Sequence, residues 1–354
     1  MSDRQKAGLR GPVHECTEER TTPPVENFPP TSYSSKATYA SDGKLLQTIT
    51  VNSFGQDSHE FSTRYTYDSA GRLLKTVFTG GSSPDIETIY TYDKIGRLLS
   101  STSDPGERSV FSHDNRGIRT RITKSNGNAA LVSSGTSYML PLPEEEEPFL
   151  SMPSGGEIKT LFNEIDRPVE WQVSDANGNV TNRLIRSYDD QGRISETSYT
   201  VENLALNLPP DLQQQLMAEP GAAEELAKGI TKLLGLKREF TRVTYRYDAE
   251  GRLVEKRLYV GATFRETITE TAYNHHSDKS EERTTIFGDH ILQNGGLDAP
   301  TAVASGTPSQ DSLVRYSYKY DTFGNWTEQT LSVQSGPSEH FVGSTVTCRT
   351  ISYY

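Results

Sequence analysis

The chain has 354 residues, and 36 Lys and Arg residues against 47 Asp and Glu residues give it a formal net charge of −11. Because an acidic surface repels phosphate backbones, this charge disfavours general nucleic-acid binding. Only 33% of the residues are hydrophobic, but the 18 Tyr and 12 Phe argue against a disordered chain, since disordered chains are depleted in aromatic residues.

No apolar run in the sequence is long enough to span a bilayer, so no membrane span is predicted. The N-terminal sequence lacks the apolar segment of a signal peptide. The compartment stays unknown: as written the chain would be cytoplasmic, and a removed leader peptide would make it secreted or cell-surface.

Two cysteines, Cys16 and Cys348, argue against a disulfide scaffold. They lie near opposite ends of the chain, so a bridge between them would require those ends to meet in space. Two unrelated strand cysteines are the favoured interpretation, and the bridge is the alternative.

Residues 1–32 are predicted to form an N-terminal strand followed by a proline-rich arm. The arm contains Pro23-Pro24 and Pro29-Pro30. Because proline has no backbone N–H group and a fixed φ, these pairs prevent regular ladder pairing. Residues 33–354 are predicted to form one repeat-built β-sheet domain.

The segment 33–354 contains an internal repeat with the pattern Y-D-x-x-G. Five copies match strictly, and four of them continue with Arg and an aliphatic residue. The fixed positions are Tyr67, Asp68, Gly71 and Arg72; Tyr92, Asp93, Gly96 and Arg97; Tyr188, Asp189, Gly192 and Arg193; Tyr247, Asp248, Gly251 and Arg252; and Tyr320, Asp321 and Gly324. Degenerate copies begin at Tyr39, His113 and Phe162, and a further turn sequence begins at Ser174.

Each repeat is interpreted as a strand, a tight turn and a second strand. Tyr and Thr alternate before the turn, as in Tyr65-Thr66-Tyr67, which is typical of a strand with one aromatic face. Asp can accept hydrogen bonds from turn amides, and Gly takes the positive φ that a type I turn with a bulge requires. The long Arg or Lys stem can lie over a neighbouring Tyr ring while its charged end stays in water. Stacked hairpins would then bury faces that no single hairpin can bury.

Three segments interrupt the repeats. Residues 139–156 include the run Glu144–Glu147 and are predicted to form a solvated loop, with a cation-binding acidic patch as the alternative. Residues 202–237 show helical spacing of apolar residues on both sides of Pro220-Gly221 and predict a helical hairpin. That hairpin either covers the sheet or docks a partner. Residues 288–311, rich in Gly, Pro, Ala and Ser, predict a second loop.

The repeats resemble the YD repeats of the RHS family, whose members include bacterial polymorphic toxins, insecticidal toxin-complex cocoon subunits and animal teneurins. The resemblance covers residues 33–354 with interruptions. It implies an all-β fold: a twisted or spiralling antiparallel sheet of stacked β-hairpin YD repeats, here with a small inserted helical hairpin. The ends, Leu9–Val13 and Arg349–Tyr354, resemble those of short free-standing bacterial YD proteins, so a complete chain is expected. The C-terminal self-cleavage motif and toxic domain of the family's toxins do not occur in this sequence.

Sequence motifs for chemistry are scarce. His275, His276 and Asp278 form a local cluster, but adjacent residues on a strand point to opposite faces, so a polar turn is favoured over a metal site. No nucleophile-elbow, Walker, H-E-x-x-H or C-x-x-C pattern occurs. Paired carboxylates can hydrolyse glycosides, but five equivalent Asp residues suit a turn-building role better. The sequence therefore predicts no catalytic residue, no metal, no cofactor and no enzymatic activity.

The predicted function is that of a non-enzymatic scaffold presenting an extended aromatic and Arg-rich β surface to a macromolecule. A carbohydrate-binding module is an alternative, because aromatic faces stack on sugar rings and the RHS family has been linked with carbohydrate binding. Trp171 and Trp326 are the candidate sugar-stacking residues, although Trp more often packs at a sheet edge. A second alternative is an accessory or partial shell component of an RHS toxin-type system. The expected partner is thus a protein or a polysaccharide.

Overall fold

A computed structural model describes residues 2–22, 31–54, 57–80, 84–104, 107–114, 116, 118–125, 155–202, 239–260, 265–287, 308, 310–335 and 341–354. These residues are all-β apart from one short helix, α1 (Asp3–Lys6), so the predicted fold class is confirmed. The predicted loop 139–156, helical insertion 202–237 and loop 288–311 lie outside the described residues except at their ends.

Strands fill the described chain, and the pairings between them are antiparallel. Their bounds are β1 (Val13–Thr22), β2 (Thr31–Tyr39), β3 (Leu45–Phe54), β4 (Asp57–Tyr67), β5 (Leu73–Gly80), β6 (Ile86–Tyr92), β7 (Leu98–Asp104), β8 (Glu107–His113), β9 (Arg119–Ser125), β10 (Glu157–Phe162), β11 (Pro168–Ser174), β12 (Val180–Tyr188), β13 (Ile194–Val201), β14 (Glu239–Tyr247), β15 (Leu253–Val260), β16 (Arg265–Tyr273), β17 (Lys279–Phe287), β18 (Gln310–Tyr320), β19 (Trp326–Ser335) and β20 (Val342–Tyr353). Two of them, β2 and β18, begin slightly before the predicted segment boundaries.

The chain divides into two compact units, of which unit 1 comprises Met1–Pro105, Thr271–Glu282 and Ser312–Tyr354. Here β2 to β7 pair in sequence order, and β1 pairs with both β2 and β20. Strand β20 also pairs with β19, which pairs with β18. The first and last strands of the chain are therefore neighbours.

The core of unit 1 lies where the chain ends meet. Leu9, Val13, Cys16 and Tyr39 are buried, and the half-buried side chains of Ala37, Leu45, Ile351 and Tyr353 pack against them. Val13 is fully shielded from solvent. Burial of these apolar groups is the main force that holds the two ends of the chain together.

Both cysteines are free, although the strands that carry them are paired. Cys16 of β1 lies opposite Ile351, whereas Cys348 of β20 lies opposite Glu19. Because side chains alternate between the faces of a sheet, that three-residue offset puts the two thiols on opposite faces. The chain ends meet as a bridge would require, but the register keeps the sulfur atoms apart.

Unit 2 comprises Gly106–Glu270 and Arg283–Asp311. Strands β8 to β15 pair in sequence order, and β15 pairs with β16. Its core contains Trp171, Val173 and Leu184, against which Ile158 and Tyr199 pack. On β12 the alternation is clear, since Leu184 is 1% exposed and the next residue, Ile185, is 43% exposed.

Candidate functional site

The repeated Asp closes each turn with its own carboxylate. In the first strict copy, Asp68 Oδ1 accepts a hydrogen bond from the Arg72 backbone N–H at 2.8 Å, and Oδ2 accepts one from Arg72 Nε at 2.7 Å. Both bonds recur at Asp93, Asp189 and Asp248. The backbone hydrogen bond from Arg72 is the largest cause that lowers the pKa of Asp68. The carboxylate is therefore held ionised inside its own turn.

The repeated Gly lets the chain reverse direction. Gly71 has a φ of 81°, and its N–H donates to the Asp68 carbonyl oxygen at 2.9 Å. The strand register shifts at Tyr67, which pairs with Leu73. This geometry is that of a short hairpin built from a β-turn, a left-handed residue and a bulge. A residue other than Gly would carry backbone strain at this position.

Basic side chains connect one turn to the next. The basic residue of one turn lies over the aromatic ring of the following turn in these described pairs: Lys44 over Tyr67, Arg72 over Tyr92, Arg167 over Tyr188 and Arg193 over Tyr247. Arg119, the first residue of β9, lies one position further along its repeat and covers the Phe162 ring. The distance from Arg193 Cζ to the Tyr247 ring centroid is 4.6 Å. The same stems cross the turn glycines, so a Cβ added at Gly192 would lie 2.0 Å from Arg167 Nη1. Gly is thus needed for close approach as well as for φ.

The repeat tyrosines complete these contacts with their hydroxyl groups. In four of the five strict copies the tyrosine donates to the carbonyl oxygen of the residue that follows the basic residue of the preceding turn: Tyr67 to Leu45, Tyr92 to Leu73, Tyr188 to Pro168 and Tyr247 to Ile194, at 2.7 to 2.9 Å. Burial, followed by the nearby Asp3 carboxylate, raises the pKa of Tyr67 to about 12. We call the Tyr, Asp, Gly and basic residues of the repeat turns the turn ladder.

Residues from both chain ends complete the turn at Asp321–Gly324. Arg10, near the N-terminus, donates from Nη1 to the Gly324 carbonyl oxygen at 2.5 Å. Asn325 stands where other copies have Arg, and its Oδ1 accepts from the Arg10 backbone N–H at 2.6 Å. The Tyr353 hydroxyl donates to Asp321 Oδ2. Contacts between residues more than 300 positions apart therefore hold this turn in place.

One repeat turn escaped the sequence pattern. The segment Asn274–Asp278, which contains both adjacent histidines, makes the same bonds as the strict copies. Asn274 Oδ1 accepts from the backbone N–H groups of His276 and Asp278, and Ser277 takes the positive φ of 66°. In this turn Asn274 takes the position of the repeat Asp and Ser277 takes that of the repeat Gly. A sequence pattern that allowed Asn or Asp after Tyr, and Ser or Gly three residues later, would have found this turn.

The two adjacent histidines are part of this turn, and one of them packs against a repeat tyrosine. The His276 ring stacks on Tyr320 with 4.0 Å between the centroids, and the Tyr320 hydroxyl donates to Asp278 Oδ2 at 2.8 Å. Within the described residues, no group of three or more His, Cys, Asp or Glu side chains is arranged to hold a metal ion. Nor does any helix in that part of the chain have the length and apolar character needed to cross a bilayer.

An arginine lies over the ring of each tryptophan. Trp171 is only 2% exposed, and Arg186 lies over its ring at 4.8 Å, so the expectation that it stacks on a sugar does not fit the structure. The half-buried Trp326 has the Arg349 guanidinium 3.5 Å from its ring centroid. Arg349 therefore occupies one face of the Trp326 ring.

A cleft lies at the other end of the unit 1 hairpins from the YD turns. It has a volume of about 430 Å³ and is lined by residues near the ends of β1 to β4: Arg20, Thr31, Ser32, Tyr33, Asn52, Ser53, Phe54, Asp57 and His59. Arg20 lies over the Tyr33 ring at 5.6 Å, whereas Phe54 is 53% exposed. No feature of the sequence repeat had pointed to this cleft.

The fold and the turn ladder define a class of protein: a repeat of antiparallel hairpins whose YD turns stack on one another. A family model described as Teneurin YD-shell matches residues 31–219, which is more than half of the chain. The chain therefore belongs to the teneurin YD-shell family. The resemblance to the RHS/YD-repeat family is thereby confirmed.

Comparison with solved structures finds several similar chains. A porin-like protein from Bacteroides uniformis has a TM-score of 0.38 and 10% sequence identity, with 97% of this chain and 98% of that chain covered. A TcdB2-TccC3-TEV structure has a TM-score of 0.33 and 12% identity, and the match covers 88% of this chain but 16% of that one. A TcdB2-TccC3-Cdc42 structure gives 0.32 and 11%, covering 88% and 15%. No curated protein matches the sequence.

Proposed function

We propose that the protein is a non-enzymatic YD-shell scaffold that presents an extended β surface with aromatic and Arg-rich ladders to a macromolecular partner. The turn ladder is the observation that carries this proposal. In the four strict copies that keep Arg, the Asp carboxylate is bound by its own turn amides and guanidinium. Recurrence of Asp is thus explained by architecture, and no reaction is needed to account for it.

Exposed leucines support an outward-facing contact surface on unit 1. Leu46, Leu74 and Leu99 occupy the same position in three consecutive repeats, two residues after the basic residue, and are 38% to 40% exposed. Ile95, in the turn before Leu99, is 76% exposed. Apolar side chains displayed at one repeat position are suited to contact with another protein, because exposed apolar patches commonly mark interaction sites.

Affinity capture tests the scaffold proposal. Tagged wild-type protein and the variant Leu46→Ser/Leu74→Ser/Leu99→Ser are incubated with lysate and culture supernatant of the source cells, and the bound proteins are quantified by mass spectrometry. The control variant replaces exposed polar turn residues of the same three repeats: Ser41→Ala/Ser69→Ala/Lys94→Ala. We expect a stoichiometric protein partner that binds wild type and control but not the leucine variant.

The identity of the captured protein separates two forms of the proposal. A partner encoded beside a toxin-like gene would support an accessory or partial shell role in an RHS toxin-type system. A partner of another kind would support a general scaffold. Equal capture by all three proteins, or no specific partner in either extract, would contradict the role proposed for the leucine positions.

A second candidate function is carbohydrate binding in the unit 1 cleft. Tyr33 and the exposed Phe54 supply aromatic faces, and Asn52, Asp57 and His59 supply polar groups that can hydrogen-bond hydroxyls. Polysaccharide titration monitored by calorimetry would test it. Phe54→Ala should abolish binding, whereas Phe78→Ala, an exposed aromatic outside the cleft, should not. Unchanged affinity in Phe54→Ala would refute this candidate.

A further inference from the structure

An arginine is buried in the centre of unit 2. Arg186 of β12 is 7% exposed, and its guanidinium carbon lies 4.8 Å from the ring centroid of Trp171, which is 2% exposed. The two are diagonal neighbours on one face of the sheet, since Trp171 pairs with Leu184. A fully desolvated guanidinium is expensive to bury unless an opposite charge compensates it.

Among the described residues, no carboxylate forms an ion pair with Arg186. Arg183, on the opposite face of the same strand, pairs with Glu170 and Glu202. Arg193 pairs with Asp189. The more exposed arginines on β12 and in the turn after it therefore have acidic partners, whereas the more deeply buried Arg186 lacks an acidic partner in the described chain.

Two buried donors at this place lack a protein acceptor. Arg186 Nε and Trp171 Nε1 are shielded from solvent and make no hydrogen bond to a described protein atom. On the same face Leu184 and Val243 are almost fully buried, and the buried Thr197 and Thr160 pair across the strands with Arg186 and Trp171. Burial raises the pKa of Tyr245, and a hydrogen bond with Thr197 and the positive charge of Arg186 partly offset that effect. The cation–π contact stabilises Arg186 without neutralising its charge.

We propose that Arg186 and Trp171 form a binding site for the carboxylate of a small organic acid. One guanidinium neutralises one negative charge, and a carboxylate has two oxygens that can accept from Nε and Nε1. A phosphate or sulfate dianion would bring a second negative charge that the single guanidinium does not neutralise. Because so little of either side chain is exposed, a small acid is favoured over a polypeptide as the source of the carboxylate.

Thermal unfolding tests the site in the full-length protein. Sodium acetate is titrated against sodium chloride and sodium sulfate at equal ionic strength, with Trp fluorescence as a second signal. At an acetate concentration ten times its Kd, the wild-type Tm should rise by about 3 °C over the chloride control. Arg186→Met should lose this response, and Arg183→Met, a surface arginine variant on the same strand, should keep it. Wild-type protein is also denatured, and the released small molecules are analysed by mass spectrometry for a stoichiometric acid.

The outcomes either support or overturn the proposal. A specific acetate response that needs Arg186, or a carboxylic acid released at one equivalent, supports the site. If Arg186→Met does not fold, the wild-type salt titration and the released-acid assay still test whether the site binds a carboxylate. Equal stabilisation by all three salts, or no acetate response together with no released acid, would overturn it and assign Arg186 a purely structural role.

Discussion

Replacement of Gly192 by Ala separates two reasons why the repeat turn requires Gly. Gly192 has a φ of 76°, and a new Cβ would lie 2.0 Å from Arg167 Nη1. Gly178, in the Asp175 turn, has a φ of 84° but no heavy atom within 4 Å of a new Cβ. Both glycines belong to unit 2, so one unfolding transition reports on both. Gly178→Ala therefore measures strain alone, and Gly192→Ala measures strain plus displacement of Arg167.

The expected magnitudes follow from these contacts. Ala in the left-handed region costs about 1–2 kcal/mol, reduced slightly because Ala restricts the unfolded chain, so Gly178→Ala should cost about 1 kcal/mol. The Arg167 guanidinium can swing away from a new Cβ, but it then loses its contact with the Tyr188 ring, worth about 0.5–1 kcal/mol. Gly192→Ala should therefore cost about 2 kcal/mol.

Urea unfolding, followed by circular dichroism, measures both free energies. The same pair of substitutions is repeated in an Arg167→Ala background, where the difference between the two glycines should vanish. Equal destabilisation in the wild-type background would show that Arg167 contributes nothing to the turn ladder. No cost at Gly178 would refute the left-handed turn itself.

Further predictions concern the chain ends and titration. At pH 8 a thiol reagent should label the exposed Cys348 in the native protein but not Cys16, whose pKa burial raises to about 11, and equal labelling of both would contradict the β1 register. Burial is also the main cause that raises the pKa of Tyr39 to about 12. The contribution of neutral Tyr39 to the free energy of unfolding should be complete below pH 10, its unfolded pKa, and should be lost between about pH 10 and 12. A free energy of unfolding that does not change over this pH range would contradict the raised pKa. The buried Asn325 makes two hydrogen bonds with the Arg10 backbone, so Asn325→Ala should cost about 2–3 kcal/mol. Asn179→Ala, at the equivalent position of an exposed turn, should cost under 1 kcal/mol by the same denaturant assay. Equal costs would refute the role of Arg10.

Local chemistry made the turn predictable from sequence. Tyr67 and Asp68 followed by Gly71 and Arg72 describe a hairpin with a bulge, because each residue acts within a few positions of the next. The all-β class follows from the repetition of that unit. Rules for turns also explain why Asn274 and Ser277 replace Asp and Gly, once the hydrogen bonds are seen.

Long-range contacts were beyond the reach of the sequence pattern. Arg10 and Asn325 meet across more than 300 residues, and nothing near either one indicates the other. The burial of Trp171 and Arg186 likewise depends on strand order and on which face turns inward, so a tryptophan that looked available for sugar stacking lies in the core. Neither the cleft at Phe54 nor the free thiols on opposite faces of paired strands leave a local signal.

The central claim is that the repeated YD residues hold successive turns together, and a double-mutant cycle between Arg193 and Tyr247 tests it most directly. The two residues belong to successive turns, with the guanidinium carbon of Arg193 4.6 Å from the Tyr247 ring centroid. Unfolding free energies are measured for wild type, Arg193→Met, Tyr247→Leu and the double variant. The turn ladder predicts a coupling energy of about 0.5–1 kcal/mol. Additive single-variant effects would contradict it.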